Sequence, residues 1–204
     1  INQVIMNTNS DFLNSSLTYT DDGRLLDENK NPVMMDWEDD IMKDASSLIC
    51  KDGGKILNIG FGLGIIDSYI QLHDIMEHWI IEAHPDVINK MKDSNWDKKN
   101  NVTCIFDDWK NVVKTLPKFD GIYFDTHCDD FNSFEKYIDS LLNPGGKCLI
   151  FSVERKNFNN LIPKFKIEEY ETKINKIDPN QHSDGRMYWD PNNKIFIHQL
   201  IIKQ

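Results

Sequence analysis

Apolar residues follow two rhythms along this chain. Short continuous runs at residues 55–59, 79–81, 102–106, 119–124 and 147–152 read as five strands. Between them the spacing turns helical. Residues 65–72 follow the first run, a helix opens over 85–91 after the second, and 131–142 carry apolar side chains at 131, 134, 137, 138, 141 and 142. Asn143-Pro144-Gly145-Gly146 reads as a turn ahead of the fifth strand. A helical pattern around 158–165 precedes two late strands, near 167–174 and 195–202, joined by a loop rather than a helix. Strands alternating with helices predict an α/β fold: a doubly wound, mostly parallel seven-stranded sheet, antiparallel at one edge. Such a sheet takes its ligands at the carboxyl ends of its strands.

Upstream of the sheet, Trp37, Ile41, Ala45 and Leu48 recur at helical spacing. Asp36 to Asp40 put negative charge at the positive end of that helix, and Lys51-Asp52-Gly53-Gly54 stops it. Residues 1–32 are polar and turn-rich, with Asp21-Asp22-Gly23 set between Leu17 and Tyr19 on one side and Leu25-Leu26 on the other. The first 35 residues therefore read as an arm or hairpin attached to one domain spanning 1–204.

Composition narrows the partners. With 204 residues and 40% hydrophobic content the chain can bury one full core. Its net charge is −10, from 33 acidic and 23 basic residues spread along the chain. No basic stripe is available for a phosphate backbone, so nucleic acid is not an expected partner, whereas a cationic substrate is compatible with the charge. The apolar runs are far short of a membrane span. Cys50, Cys104, Cys128 and Cys148 lie too far apart for the common zinc spacings, and nothing marks a disulfide framework. A reduced, cytosolic or nuclear protein without a metal is expected, either monomer or homodimer.

Leu57-Asn58-Ile59-Gly60-Phe61-Gly62-Leu63-Gly64 ends the first strand and enters a helix. Glycines let a ligand approach the backbone N–H groups of such a turn. A dinucleotide fingerprint beginning at Gly60 needs glycine at position 65, where Ile65 stands. Glu82 closes the second strand twenty-two residues after Gly60, where an acid can accept ribose hydroxyls. Loop and acid together indicate a nucleoside-bearing cofactor; alone they leave S-adenosylmethionine and a nicotinamide both open.

Two further motifs carry chemistry: Val33-Met34-Met35-Asp36-Trp37-Glu38, and Phe119-Asp120-Gly121-Ile122-Tyr123-Phe124-Asp125-Thr126 at the end of the fourth strand. With the glycine loop, Glu82-Ala83-His84, Asp108-Trp109 and Asn143-Pro144-Gly145-Gly146, the chain resembles the guanidinoacetate N-methyltransferases and the related arginine δ-nitrogen N-methyltransferases over nearly its whole length. The resemblance implies a Rossmann-like methyltransferase of the first class, using S-adenosylmethionine and no metal. It implies that Glu38 and Asp125 grip a guanidino group. It makes Met34, Met42, Gly60, Phe61, Gly62, Leu63, Gly64, Ile65, Ile66, Glu82, Ala83, His84, Asp108, Trp109 and Asp125 the cofactor shell, with Phe12 and Tyr19 as an aromatic arm closing over it. His127 and Cys128 pair with nothing that would make them a nucleophilic dyad and read as bystanders. His182 reads as solvated, and Met187-Tyr188-Trp189 as a candidate lining of the acceptor mouth.

The chemistry is consistent with these roles. A guanidinium is planar, has five donors and stays protonated, so its nitrogens are poor nucleophiles. Two carboxylates can hold it bidentately and accept the proton released on attack. Positioning then supplies most of the acceleration.

The resemblance implies a guanidino-bearing acceptor, with arginine, in a protein or free, expected ahead of guanidinoacetate. Asn58, Met35-Asp36 and Glu82-Ala83-His84-Pro85-Asp86 resemble the arginine type, while Glu154-Arg155 replaces the small hydroxyl residues that would hold a guanidinoacetate carboxylate. The ankyrin repeats that usually precede the arginine type do not occur in these residues. A nicotinamide oxidoreductase, and a binding module that kept the fold without activity, are the other readings.

Overall fold

A computed structural model describes residues 9–127, 131–161, 163–175, 189–190 and 192–204. Its centre is a seven-stranded sheet of β4 (Lys55–Ile59), β5 (Glu77–Glu82), β6 (Val102–Phe106), β7 (Phe119–Phe124), β8 (Leu142–Ile150), β9 (Phe165–Lys173) and β10 (Ile195–Lys203). The order across it is β6-β5-β4-β7-β8-β10-β9. Strands β4 to β8 pair in parallel, and β10 runs antiparallel to both β8 and β9. The last two strands thus form the antiparallel edge that their loop connection predicts, with β10 the reversed strand.

Side chains alternate across each strand, and the two faces collect different helices. Ile56, Ile80, Tyr123 and Leu149 face α2 (Asp39–Ile49), α3 (Ile65–Ile70) and α4 (Pro85–Asp93), packing with Met42, Ala45, Ile66, Ile70 and Met91. Leu57, Ile81, Ile122, Phe124 and Cys148 face α5 (Trp109–Val112) and α6 (Phe131–Leu141), packing with Trp109, Phe134, Ile138 and Leu141. Both layers exclude water, which is where most of the stabilisation arises. The chain order reverses between β4 and β7, leaving the crevice above their carboxyl ends where this topology binds ligands.

The arm is more structured than a single hairpin. Helix α1 (Asn9–Asn14) leads into a three-stranded antiparallel sheet, β1 (Thr18–Tyr19), β2 (Arg24–Leu26) and β3 (Pro32–Met35). Leu25 and Met34 join the α2-facing core, while Leu26, Met35, Trp37, Trp189 and Phe196 form a third cluster against the far edge. Two expectations are corrected. Asn143-Pro144-Gly145-Gly146 lies inside β8 as a bulge, where the register jumps from Phe119–Leu142 to Gly121–Lys147 and Gly145 takes φ +78°. The pattern at 158–165 yields only a 3-10 turn, Asn159–Leu161, because consecutive asparagines propagate a helix weakly and Pro163 disfavours helix before it. Cys50 and Cys148 are buried thiols and Cys104 is half-buried, all free; Cys128 lies outside the described residues. Among the described residues no helix is long and apolar enough to cross a membrane.

Candidate functional site

The glycine loop crosses from β4 to α3 with positive φ at each glycine: 97° at Gly60, 55° at Gly62 and 70° at Gly64. An added Cβ at Gly60 would lie 1.8 Å from the Asp125 carbonyl oxygen, and one at Gly62 would lie 2.6 Å from Met34 Sδ. Neither position can take another residue without moving backbone or the arm. Leu63 N–H points at Met34 Sδ at 3.1 Å, so the thioether from β3 is fastened to the loop.

Glu82, at the end of β5, reaches back into the same loop. Its Oε2 accepts from Phe61 N–H at 2.8 Å, and its Oε1 accepts from Ala83 N–H at 2.8 Å and His84 N–H at 2.7 Å. Burial raises the carboxyl's pKa, and these N–H donors oppose the rise. With about four lone-pair positions on a carboxylate and three already used, ribose hydroxyls would share Glu82 with the loop.

The arm is tied over this crevice at several points. His84 Nδ1 accepts from Asp86 N–H at 3.2 Å, which leaves Nε2 to donate to the Phe12 carbonyl at 3.1 Å. Leu17 N–H donates to Asp86 Oδ2 at 2.8 Å, and Tyr19 Oη donates to the Gly62 carbonyl at 3.3 Å. Burial, with Glu82 and Asp86 nearby, keeps the Tyr19 phenol protonated. The Phe12 ring lies between the imidazoles of His84 and His127, with centroids 4.9 and 4.4 Å away.

At the other end stands Asp125, one residue past β7. It is half-buried in the cavity wall, and desolvation pushes its carboxyl up to about 7. Glu38 ends the 3-10 turn before α2, only 2% exposed, with Oε1 accepting from Met35 N–H at 2.8 Å. The Tyr123 hydroxyl is raised by burial and by the charges of Asp125 and Glu38, so it lies within electrostatic range of both.

These elements surround an open cavity lined by Phe12, Leu13, Leu25, Val33, Met34, Ile59, Gly60, Phe61, Gly62, Ile66, Ile81, Glu82, Ala83, His84, Val87, Asp107, Asp108, Trp109, Asp125, Thr126 and His127. Twelve of the expected site residues are in this wall. Six are not. Leu63, Gly64 and Ile65 turn away into α3, where Gly64 packs on the Phe61 ring. Met42 points into the core with Tyr123, Tyr19 touches the loop from outside, and Glu38 stands behind the wall, capping its turn. His127, expected as a bystander, lies in the wall beside the Phe12 ring. Leu13, Leu25, Val33, Ile59, Ile81 and Val87 escaped notice because an apolar wall residue reads like any core residue; Asp107 and Thr126, each beside an expected residue, were findable. His182 and Met187-Tyr188 lie outside the described residues, whereas Trp189 packs on Trp37 with centroids 6.3 Å apart. Among the described residues no cluster of metal-ligating side chains occurs.

The lining fits a nucleoside-bearing ligand: apolar walls, an acid at the end of β5, backbone groups in the loop, and Asp107 and Asp108 at the far side. The fold is that of the Rossmann-like methyltransferases. The O-methyltransferase TomG from Streptomyces achromogenes, solved in complex with SAM, superposes with a TM-score of 0.57 at 11% identity, over 86% of this chain and 82% of that one. The spermidine synthase of Thermotoga maritima gives 0.63 at 11%, over 93% and 69%.

The particular family follows from the sequence match. The model of the guanidinoacetate N-methyltransferase family covers residues 6–153, and the chain belongs to that family. It is 42% identical over 153 residues to protein arginine N-methyltransferase 2 of Candida glabrata, covering 69% of this chain and 37% of that protein. With the protein of the same name from Aspergillus oryzae it shares 36% over 204 residues, 89% of this chain and 49% of the relative. The chain spans less than half the length of these curated relatives.

Proposed function

We propose that this chain is a methyltransferase domain that transfers a methyl group from S-adenosylmethionine to a guanidino nitrogen of arginine, in a protein or free. The observation that carries the reading is Asp125: a half-buried carboxyl, raised to about 7 by desolvation, in the wall of a cavity built by a glycine loop and Glu82. Family membership and relatives named arginine N-methyltransferases support it.

Gly60 to Gly62, Ile66, Glu82 to His84, Asp108 and Trp109 would hold the donor, and Met34 would lie against it. Bound there, S-adenosylmethionine supplies a sulfonium methyl, an electrophile. The chain's residues do the rest. Phe12 and the arm exclude water. Asp125 takes the guanidinium from the cavity wall, Glu38 joins it as the second carboxylate when its side chain turns from Met35 N–H, and the arriving positive charge lowers the Asp125 pKa again. The carboxylate then accepts the proton that the attacking nitrogen releases.

Arginine stands ahead of guanidinoacetate because Arg155, a candidate holder of the smaller molecule's carboxylate, pairs with Glu169 at 3.0 Å on the surface. One observation favours the second reading: Lys156 lines a neighbouring cavity, also bounded by Thr126, where a carboxylate could sit. Free arginine, guanidinoacetate and ribosomal proteins offered in parallel with the donor, with products read by mass spectrometry, decide between them. Methylarginine is expected; product from guanidinoacetate alone selects the second reading, and no product from any of the three rejects both.

A further inference from the structure

Tyr123 has no task in the reaction as set out above. Its side chain shares a face of β7 with Asp125, two residues on, and packs with Met34, Met42 and Ala45 beneath α2. Glu38 is the residue immediately before that helix. The Tyr123 hydroxyl is fully buried and has no hydrogen-bond partner among the described residues. Its neighbour in register on β4 is Asn58, whose Nδ2 is engaged by Asp67 and the Gly60 carbonyl. The Asn58 Oδ1 is itself unpartnered, so the two groups do not satisfy each other.

An orphaned buried hydroxyl is destabilising, and a phenyl ring would fill nearly the same volume without that penalty. The hydroxyl's position is informative. It is a neutral donor held in its protonated form, and the two charged groups that act on it are the carboxylates assigned to the acceptor. A guanidinium brings five N–H groups, and two bidentate carboxylates can take four. A buried hydroxyl behind the cavity wall, on the face of the sheet that Asp125 shares, can donate its proton to a carboxylate oxygen.

We propose that Tyr123 is a positioning residue of the acceptor clamp: its hydroxyl donates to one of the two carboxylates when the guanidinium enters, fixing the carboxylate's orientation toward the reacting nitrogen. This rests on the guanidino reading above. The charged groups acting on the hydroxyl are Asp125 on its own strand and Glu38 ahead of α2, and both belong to the clamp.

Tyr123→Phe tests it, with the full chain, S-adenosylmethionine, and free arginine or an arginine-bearing peptide as acceptor. A hydrogen bond donated to a carboxylate favours its ionised form, so its loss moves the acid limb of kcat/KM to higher pH. The expected result is kcat/KM down about tenfold at neutral pH with the limb shifted upward, while donor affinity and melting temperature hold or rise. A Phe variant matching wild type in kcat/KM and in its pH profile overturns the role of Tyr123 alone. A wild-type enzyme that methylates neither arginine nor guanidinoacetate overturns the guanidino reading and this inference with it.

Discussion

The two ends of the cavity are built on opposite terms. At the glycine-loop end, the Asn58 Oδ1 aside, the polar groups have partners within the protein: Phe61, Ala83 and His84 N–H on Glu82, both ring nitrogens of His84, and Leu17 N–H on Asp86. At the Asp125 end a half-buried carboxyl is pushed toward its neutral form, and the buried Tyr123 and Thr126 hydroxyls lack partners among the described residues. The first end is complete as a piece of fold, and a ligand there must share what exists. The second is matched only by a group that brings several donors and a positive charge. Pre-organisation and ligand demand thus sit about one strand apart.

Breaking the unsatisfied end has the largest expected effect. Asp125→Asn keeps the shape and removes the charge and the proton acceptor, so methyl transfer falls by about 10²- to 10⁴-fold while donor affinity stays within a few-fold. The same substitution has a stability signature of definite sign. The carboxyl titrates at 3.8 when unperturbed and near 7 in the fold. Between those values the folded state keeps a proton that the unfolded state releases, so wild-type stability declines as pH rises from about 4 to 7. The Asn variant escapes that decline. Without ligand it should melt above wild type at pH 8, with little difference near pH 4. Turnover close to wild type, or equal melting at pH 8, would remove Asp125 from its role.

The satisfied end should break differently. Glu82→Gln replaces one of two acceptor oxygens by an NH₂ that faces backbone donors. The loop then loses about 1–3 kcal/mol of hydrogen bonding, and donor affinity falls about tenfold or more. Calorimetric titration of S-adenosylmethionine together with a melting curve checks both. Stability that drops with unchanged donor affinity would confine Glu82 to a structural role and erase the contrast between the two ends.

Much of this was readable from residue order. The run at 55–59, the helical stripe from 131 and the glycine spacing each carry a local signal, and strands β4, β6 and β7 lie where the pattern puts them. What sequence order concealed came from distance along the chain. Nothing local in Asn143-Pro144-Gly145-Gly146 says that the flanking residues pair with β7 on both sides of it, turning a turn into a bulge. Nothing beside His127 announces Phe12, 115 positions away, as its partner. Glu38 shows the reverse case, because its local signal as a helix-start acid is genuine: the side chain caps its own turn, and that bond holds it just outside the cavity wall.

The smallest expected effect isolates the arm from the cavity it covers. Leu17 N–H rests on Asp86 Oδ2 at 2.8 Å, a part-buried contact between residues 69 positions apart. Asp86→Ala removes the acceptor, and a part-buried hydrogen bond to a charged group is worth about 1.5 kcal/mol at the low end. Exchange of the Leu17 amide should accelerate by about tenfold. Phe12 and Tyr19 keep their own bonds, so donor affinity should drop by less than that factor and kcat should hold. Asp86 also lies in the first turn of α4, where any acid interacts with the helix dipole. Asp86→Asn separates the two contributions, since it loses the charge and keeps an oxygen for Leu17. Faster exchange in Ala but not in Asn assigns the effect to the latch; equal acceleration in both assigns it to the charge, and the arm would then be held by Phe12 and Tyr19 alone.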